Sequence, residues 1–141
     1  MPEPPGAATP GAVEVEVALD GARPPLAPAA CERAARAALA AAGVEDGHLA
    51  VAFVDVSRMR ALNARHRGVD RSTDVLSFPI DGPGPAPGPR ELGDVVICPE
   101  HTADLEQAVV HGVLHLCGHD HERDEGEMLT LQAQVLNELR G

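Results

Sequence analysis

The chain has 141 residues, 44% hydrophobic and 23% charged, with a net charge of −11. That length suits one domain with a core of its own, and the acidity excludes a general electrostatic grip on nucleic acid, which requires many phosphates to be neutralised. Two phenylalanines with no tyrosine or tryptophan exclude an aromatic platform for stacking bases, so any nucleic-acid contact must be local and the core must be aliphatic.

Residues 1–12 are Pro, Gly and Ala in a polar setting and predict a disordered tail. They carry neither the basic start nor the apolar run of a signal peptide. Val13, Val15, Val17 and Leu19 alternate with Glu14 and Glu16, the period of a strand with one wet face. Pro24, Pro25 and Pro28 mark a loop before an alanine-rich helix from Ala29 to Ala42, closed by Gly43. Leu49, Val51 and Phe53 alternate as a second strand. Ser57 is the expected cap of a second helix that runs to Arg67 and stops at Gly68.

Val75 to Phe78 reads as a short strand ended by Pro79. Five prolines and three glycines between Pro79 and Pro89 make a loop without catalytic chemistry. Asp94 to Ile97 reads as a fourth strand. Pro99 suits a helix first turn, and the spacing predicts one continuous helix from there to Cys117, ended by Gly118. Asp124 and Glu127 resemble a capping box before a helix carrying Met128, Leu131, Val135 and Leu139 on one face. The order strand, helix, strand, helix, strand, strand, helix, helix predicts a single α+β domain over residues 13–141. It should have about four strands in a mixed sheet with helices packed on it.

Cys31, Cys98 and Cys117 are odd in number and form no C-x-x-C pair, the usage of reduced thiols in the cytoplasm. No apolar run reaches the length of a membrane span. All 11 basic residues are arginine, which with the abundant Ala, Gly and Pro reflects a GC-rich coding sequence more than function.

Four of the seven histidines fall between residues 111 and 121: His111, His115, His119 and His121. On a helix, His111 and His115 project from one face, one turn apart. Gly118 can leave the helix in a left-handed conformation and let the chain return His121 as a third ligand. Three imidazoles with an open fourth position are the donor set of a catalytic zinc, so one zinc per chain is expected at the helix end. Surface histidines on an amphipathic helix would account for one such pair, but not for three with a glycine hinge. The spacing H-x-x-x-H-x-x-G-x-x-H is that of metzincin proteases, yet Gly112 stands where their general-base Glu belongs. His119 falls off the ligand spacing. Asp120 either orients a ligand imidazole through its other ring nitrogen or is a solvated turn residue. Cys117 reads as a core thiol, with a thiolate ligand as the alternative.

Arg58, Arg60, Arg65, Arg67 and Arg71 crowd into fourteen positions that hold one acid, Asp70. Guanidinium forks grip phosphate oxygens. A solvated helix face explains Arg58 and Arg60, and Arg65, Arg67 and Arg71 remain as substrate contacts.

The segment HGVLHLCGHDH, residues 111–121, resembles the H-G-x-L-H-L-x-G-[YH]-D-H motif of the YbeY family of bacterial endoribonucleases, which are rRNA maturation factors. Leu62-Asn63 through Arg67-Gly68, Thr73 to Pro79, and Leu92 to Ile97 agree with it in the same order. The resemblance implies His111, His115 and His121 as zinc ligands, with His111 also at the reaction centre, and Arg67 as the active-site arginine. It implies cleavage of single-stranded RNA in 16S rRNA 3′-end maturation and ribosome quality control, with the ribosome or small-subunit proteins as partners. DNA, which lacks the 2′-OH, and membranes are not expected partners. The residues allow attack either by water or by the RNA 2′-OH, with Asp120 and His119 near enough in sequence to move a proton. Two positions depart from the family: the Ile97–His111 stretch is short, and position 66 is His where an aromatic is usual. Two other readings fit the residues, a zinc-containing ribosome-assembly factor with little catalysis and a protease-like zinc hydrolase of another substrate.

Overall fold

A computed structural model describes residues 13–19, 26–81 and 90–141. The proline-rich tail over 1–12 and most of the loop after Pro79 lie outside the described residues. Strands β1 (Val13–Leu19), β2 (Gly47–Phe53), β3 (Val75–Pro79) and β4 (Glu91–Ile97) form one sheet in the order β1-β2-β4-β3. β1, β2 and β4 run parallel, and β3 is antiparallel to β4. The expected mixed four-stranded α+β arrangement is therefore present.

Both faces of the sheet are covered. Val51, Val95 and Ile97 pack against α1 (Pro28–Ala41), α3 (Leu105–Leu116) and α4 (Glu127–Arg140) in an aliphatic core that includes Ala34, Ala38, Val109, Val113 and Met128. Val96 and Cys98 turn the other way and meet Met59 of α2 (Val56–Arg67) together with Leu76. Strand alternation thus sends neighbouring residues to opposite cores. The alanines of α1 allow it to lie close, and Cys31 beside them is a buried thiol whose pKa burial raises to about 11.

Four local expectations are corrected. The cap of α2 is Asp55, whose Oδ1 accepts from the Arg58 backbone N–H at 2.8 Å, and Ser57 lies inside the helix. β4 begins at Glu91 instead of Asp94. A register shift beside His48 and the positive φ of Gly93 break the alternation that would have shown its start. A Cβ at Gly93 would overlap the Phe78 carbonyl oxygen.

The helix expected from Pro99 is two elements. Pro99 opens a 3-10 turn to His101. Thr102 donates to the Cys98 carbonyl at 2.7 Å, and Asp104 then caps α3 by accepting from Gln107 N at 3.1 Å. Finally, Asp124 and Glu127 do not form a capping box. Asp124 accepts from Gly126 N and Met128 N, while Glu127 accepts from Glu125 N. These bonds hold the Asp124 carboxyl below its ordinary pKa.

Candidate metal centre

α3 reaches the sheet closely because position 112 is glycine. A Cβ there would overlap Val95 Cγ1 and stand 3.2 and 3.3 Å from Val95 Cγ2 and Val75 Cγ2. The Gly112 carbonyl accepts from Ser77 Oγ at 2.9 Å, tying α3 to β3. With Gly112 against the sheet, His111 and His115 stand half-buried at the helix edge, beside the Thr73–Pro79 segment. Position 112 therefore lacks a general base and also lacks room for one.

α3 ends in a Schellman motif. Gly118 N donates to His115 O at 3.0 Å and His119 N to Leu114 O at 3.1 Å, with Gly118 at φ 95°. The reversal is followed by a turn built on Asp120. Its carboxylate accepts from Glu122 N at 3.0 Å, and its carbonyl accepts from Arg123 N and Asp124 N. His121 sits inside this turn and comes back over α3. The ring centroids of His111, His115 and His121 lie 4.8 to 5.3 Å apart, and one nitrogen from each falls within 4.8 Å of the others.

This donor set fits a metal ion. The Nε2 atoms of His111 and His115 are 3.2 Å apart, near the edge of a zinc–imidazole tetrahedron, about 3.3 Å for bonds of 2.0–2.1 Å. Burial, followed by the neighbouring His111, holds the His115 pKa below its usual value, which favours the neutral, metal-binding form. Nδ1 of His121 is buried with no protein partner. Nδ1 of His111 faces Gln132 Oε1 at 2.8 Å. The sequence reading missed Gln132. Its signal was a polar residue on the face of α4 that carries Met128 and Val135, where all three are buried.

The three histidines open onto a cleft of about 660 Å³ that is also lined by Arg67, Thr73, Asp74, Ser77, His119 and Asp120. Arg67 reaches it from the last turn of α2, where Gly68 stops the helix at φ 69°. Arg65 and Arg71 are outside this lining. The carboxylate of Asp120 serves its own turn and Arg123, at 3.4 Å. Arg60 is bound to Asp70 through two hydrogen bonds. His66 packs its ring on Phe78 at 4.5 Å, so an imidazole makes the aromatic contact beside Arg67. Cys117 is a core thiol whose pKa burial raises to about 11, and it is not part of the histidine cluster.

An α+β layer carrying three histidines that could hold a metal ion at a glycine-broken helix end defines a class, and comparison with known proteins specifies it. The family described as endoribonuclease YbeY matches residues 26–140, and the chain belongs to that family. Proteins named endoribonuclease YbeY from Salinispora tropica and a Chelativorans species are 45% and 42% identical, over 72% and 74% of this chain and 81% and 76% of theirs. One from Nitrobacter hamburgensis is 41% identical over 67% of this chain. The chain spans about three fifths of the Nitrobacter protein's length. The solution structure of a Thermotoga maritima protein shares the fold, with a TM-score of 0.54 at 26% identity over 89% of this chain and 88% of that one. Among the described residues, no helix is long and apolar enough to cross a membrane.

Proposed function

We propose that the protein is a zinc-dependent endoribonuclease that cuts single-stranded RNA in the cytoplasm, acting in 16S rRNA 3′-end maturation and ribosome quality control. The observation that carries this reading is the presence of three convergent imidazoles and an arginine, Arg67, in the same cleft. The family's name supplies the substrate class.

His111, His115 and His121 would hold the ion. When bound, zinc supplies Lewis acidity beside the scissile phosphate. Arg67 grips a non-bridging phosphate oxygen with its guanidinium fork and offsets the charge that builds there as the phosphorus becomes five-coordinate. Asp120 holds the turn that presents His121, and its carboxylate is close enough to the cleft to accept a proton. Arg65 and Arg71, outside the cleft lining, would meet phosphates further along the RNA. With so few cations available, binding should depend weakly on salt, as for about two or three phosphates.

A protease reading is disfavoured by the packing at Gly112, which leaves no space for the Glu that such enzymes place there. The test uses matched RNA, DNA and peptide substrates with zinc-loaded protein. Metal-dependent cutting of single-stranded RNA alone supports the proposal. Peptide cleavage without RNA cleavage overturns it. Specific binding to ribosomal subunits without any cleavage replaces it with an assembly-factor role.

A further inference from the structure

Gln132 is one of two buried polar or charged residues among those described, 8% exposed on the inner face of α4. Its neighbours on that face, Met128, Val135 and Leu136, belong to the aliphatic core. An amide in such a place is costly unless it is bonded, and Gln132 Oε1 lies 2.8 Å from His111 Nδ1. With Oε1 toward the ring, this contact places the proton of His111 on Nδ1, because a carbonyl oxygen only accepts. The lone pair is then left on Nε2, the atom that faces Nε2 of His115. The reverse tautomer would need the amide to turn over and donate to Nδ1, and it would point a proton at the ligand centre.

We propose that Gln132 is a positioning residue that fixes the tautomer and ring plane of His111, and that it links metal affinity to the docking of α4. The inference rests on the zinc reading of the three histidines and extends it to a residue 21 positions from His111 on a different helix. The other ligands are not held in this way by α4. His115 shares its helix with His111, and His121 is set by the turn at Asp120. A carboxylate at 132 would accept the same proton more strongly, and groups that accept from a ligand histidine typically govern metal affinity by 10- to 100-fold.

The experiment compares wild type, Gln132→Leu and Gln132→Glu. Leucine is close in size and cannot accept; glutamate keeps the acceptor. Zinc affinity is read by competition with a chromophoric chelator, the tautomer of His111 by ring-nitrogen NMR of the metal-free protein, and folding by circular dichroism and melting. The expected result is a loss of about 10- to 100-fold in zinc affinity for Gln132→Leu, recovered in Gln132→Glu. His111 in the leucine variant should populate both tautomers. A merely structural role would lower the melting temperature of both variants and leave zinc affinity at the wild-type value. That result, or a wild-type His111 protonated on Nε2, would overturn the inference while leaving the zinc site intact. Wild-type protein that takes up no zinc would overturn the metal reading itself, a different outcome.

Discussion

Two histidine sites among the described residues, a cluster of three and a single imidazole, have surroundings that give them opposite chemistry. At the helix end, His111, His115 and His121 face one another, and His115 is pushed toward the neutral form by burial and by its neighbour. On the open part of the sheet, His48 of β2 stands between carboxylates. Its Nδ1 is 2.9 Å from Glu91 of β4 and its Nε2 is 3.5 Å from Glu16 of the edge strand β1. The hydrogen bond that Glu91 accepts from His48 raises the His48 pKa against a smaller opposing effect of burial, with further help from the charges of Glu91, Glu16 and Glu14. The cluster gathers lone pairs and suits a cation from solution, whereas the surroundings of His48 favour its protonated form. The side chain is the same, so the difference lies in what faces it.

The largest expected effect breaks the cluster. His115→Ala should lower zinc content from about one per chain to near zero, because two imidazoles cannot hold the ion tightly. Elemental analysis showing full zinc in that variant would remove His115 from the ligand set. Next, Arg67→Ala should slow RNA cleavage by roughly 10²-fold, the scale for losing one donor to the reacting group, with zinc content and melting temperature unchanged. Arg67→Lys should restore only part of the rate, since a point charge lacks the fork. Wild-type rates from both variants would return Arg67 to the role of a charge at the helix C-terminus.

Gly112→Ala probes the surface that aims the ligands. The added methyl meets Val95 and Val75, and overpacking of this kind costs about 1–3 kcal/mol. The intrinsic helix gain of alanine over glycine, about 1 kcal/mol, opposes it. A lower midpoint in urea unfolding is expected, and a raised midpoint would show that α3 can lift from the sheet without loss.

The smallest effect sharpens the contrast from the other side. A raised folded-state pKa means that the His48 contribution is fully present below the ordinary histidine pKa and is lost as pH rises through the raised value. His48→Gln should therefore flatten the pH dependence of melting between mildly acidic and alkaline solution, with the larger loss on the acidic side. The shift should be small, because His48 and both carboxylates are partly exposed. A larger loss on the alkaline side would mean that His48 is neutral in the folded protein.

Much of the fold was legible in residue order. The period-two strands at β1 and β2, the glycines at 43, 68 and 118, and the histidine spacing are local signals, and each marks a feature of the structure at or near its expected place. Local signals failed where competing partners decided the outcome. Ser and Asp are both good cap types, and it is Asp55 that accepts from the Arg58 backbone N–H. Pro99 fits either helix type, and Thr102 and Asp104 divided the segment by satisfying its backbone first. Gln132 is one polar residue among several on an amphipathic helix, and no local pattern marks its contact with His111.

The sequence by itself determined the donor chemistry: three imidazoles at helical and turn spacing, a glycine that lets the chain reverse, and no glutamate beside the first histidine. Only the tertiary structure decided how those donors are used. Strand order β1-β2-β4-β3 brings the Thr73–Pro79 segment beside α3, and α4 delivers Gln132 to His111. The packing of Gly112 on Val95 fixes the height of the helix over the sheet. Spacing along a chain sets which side chains share a face, but the approach of one element to another depends on side-chain volumes summed over both, and no local pattern contains that sum.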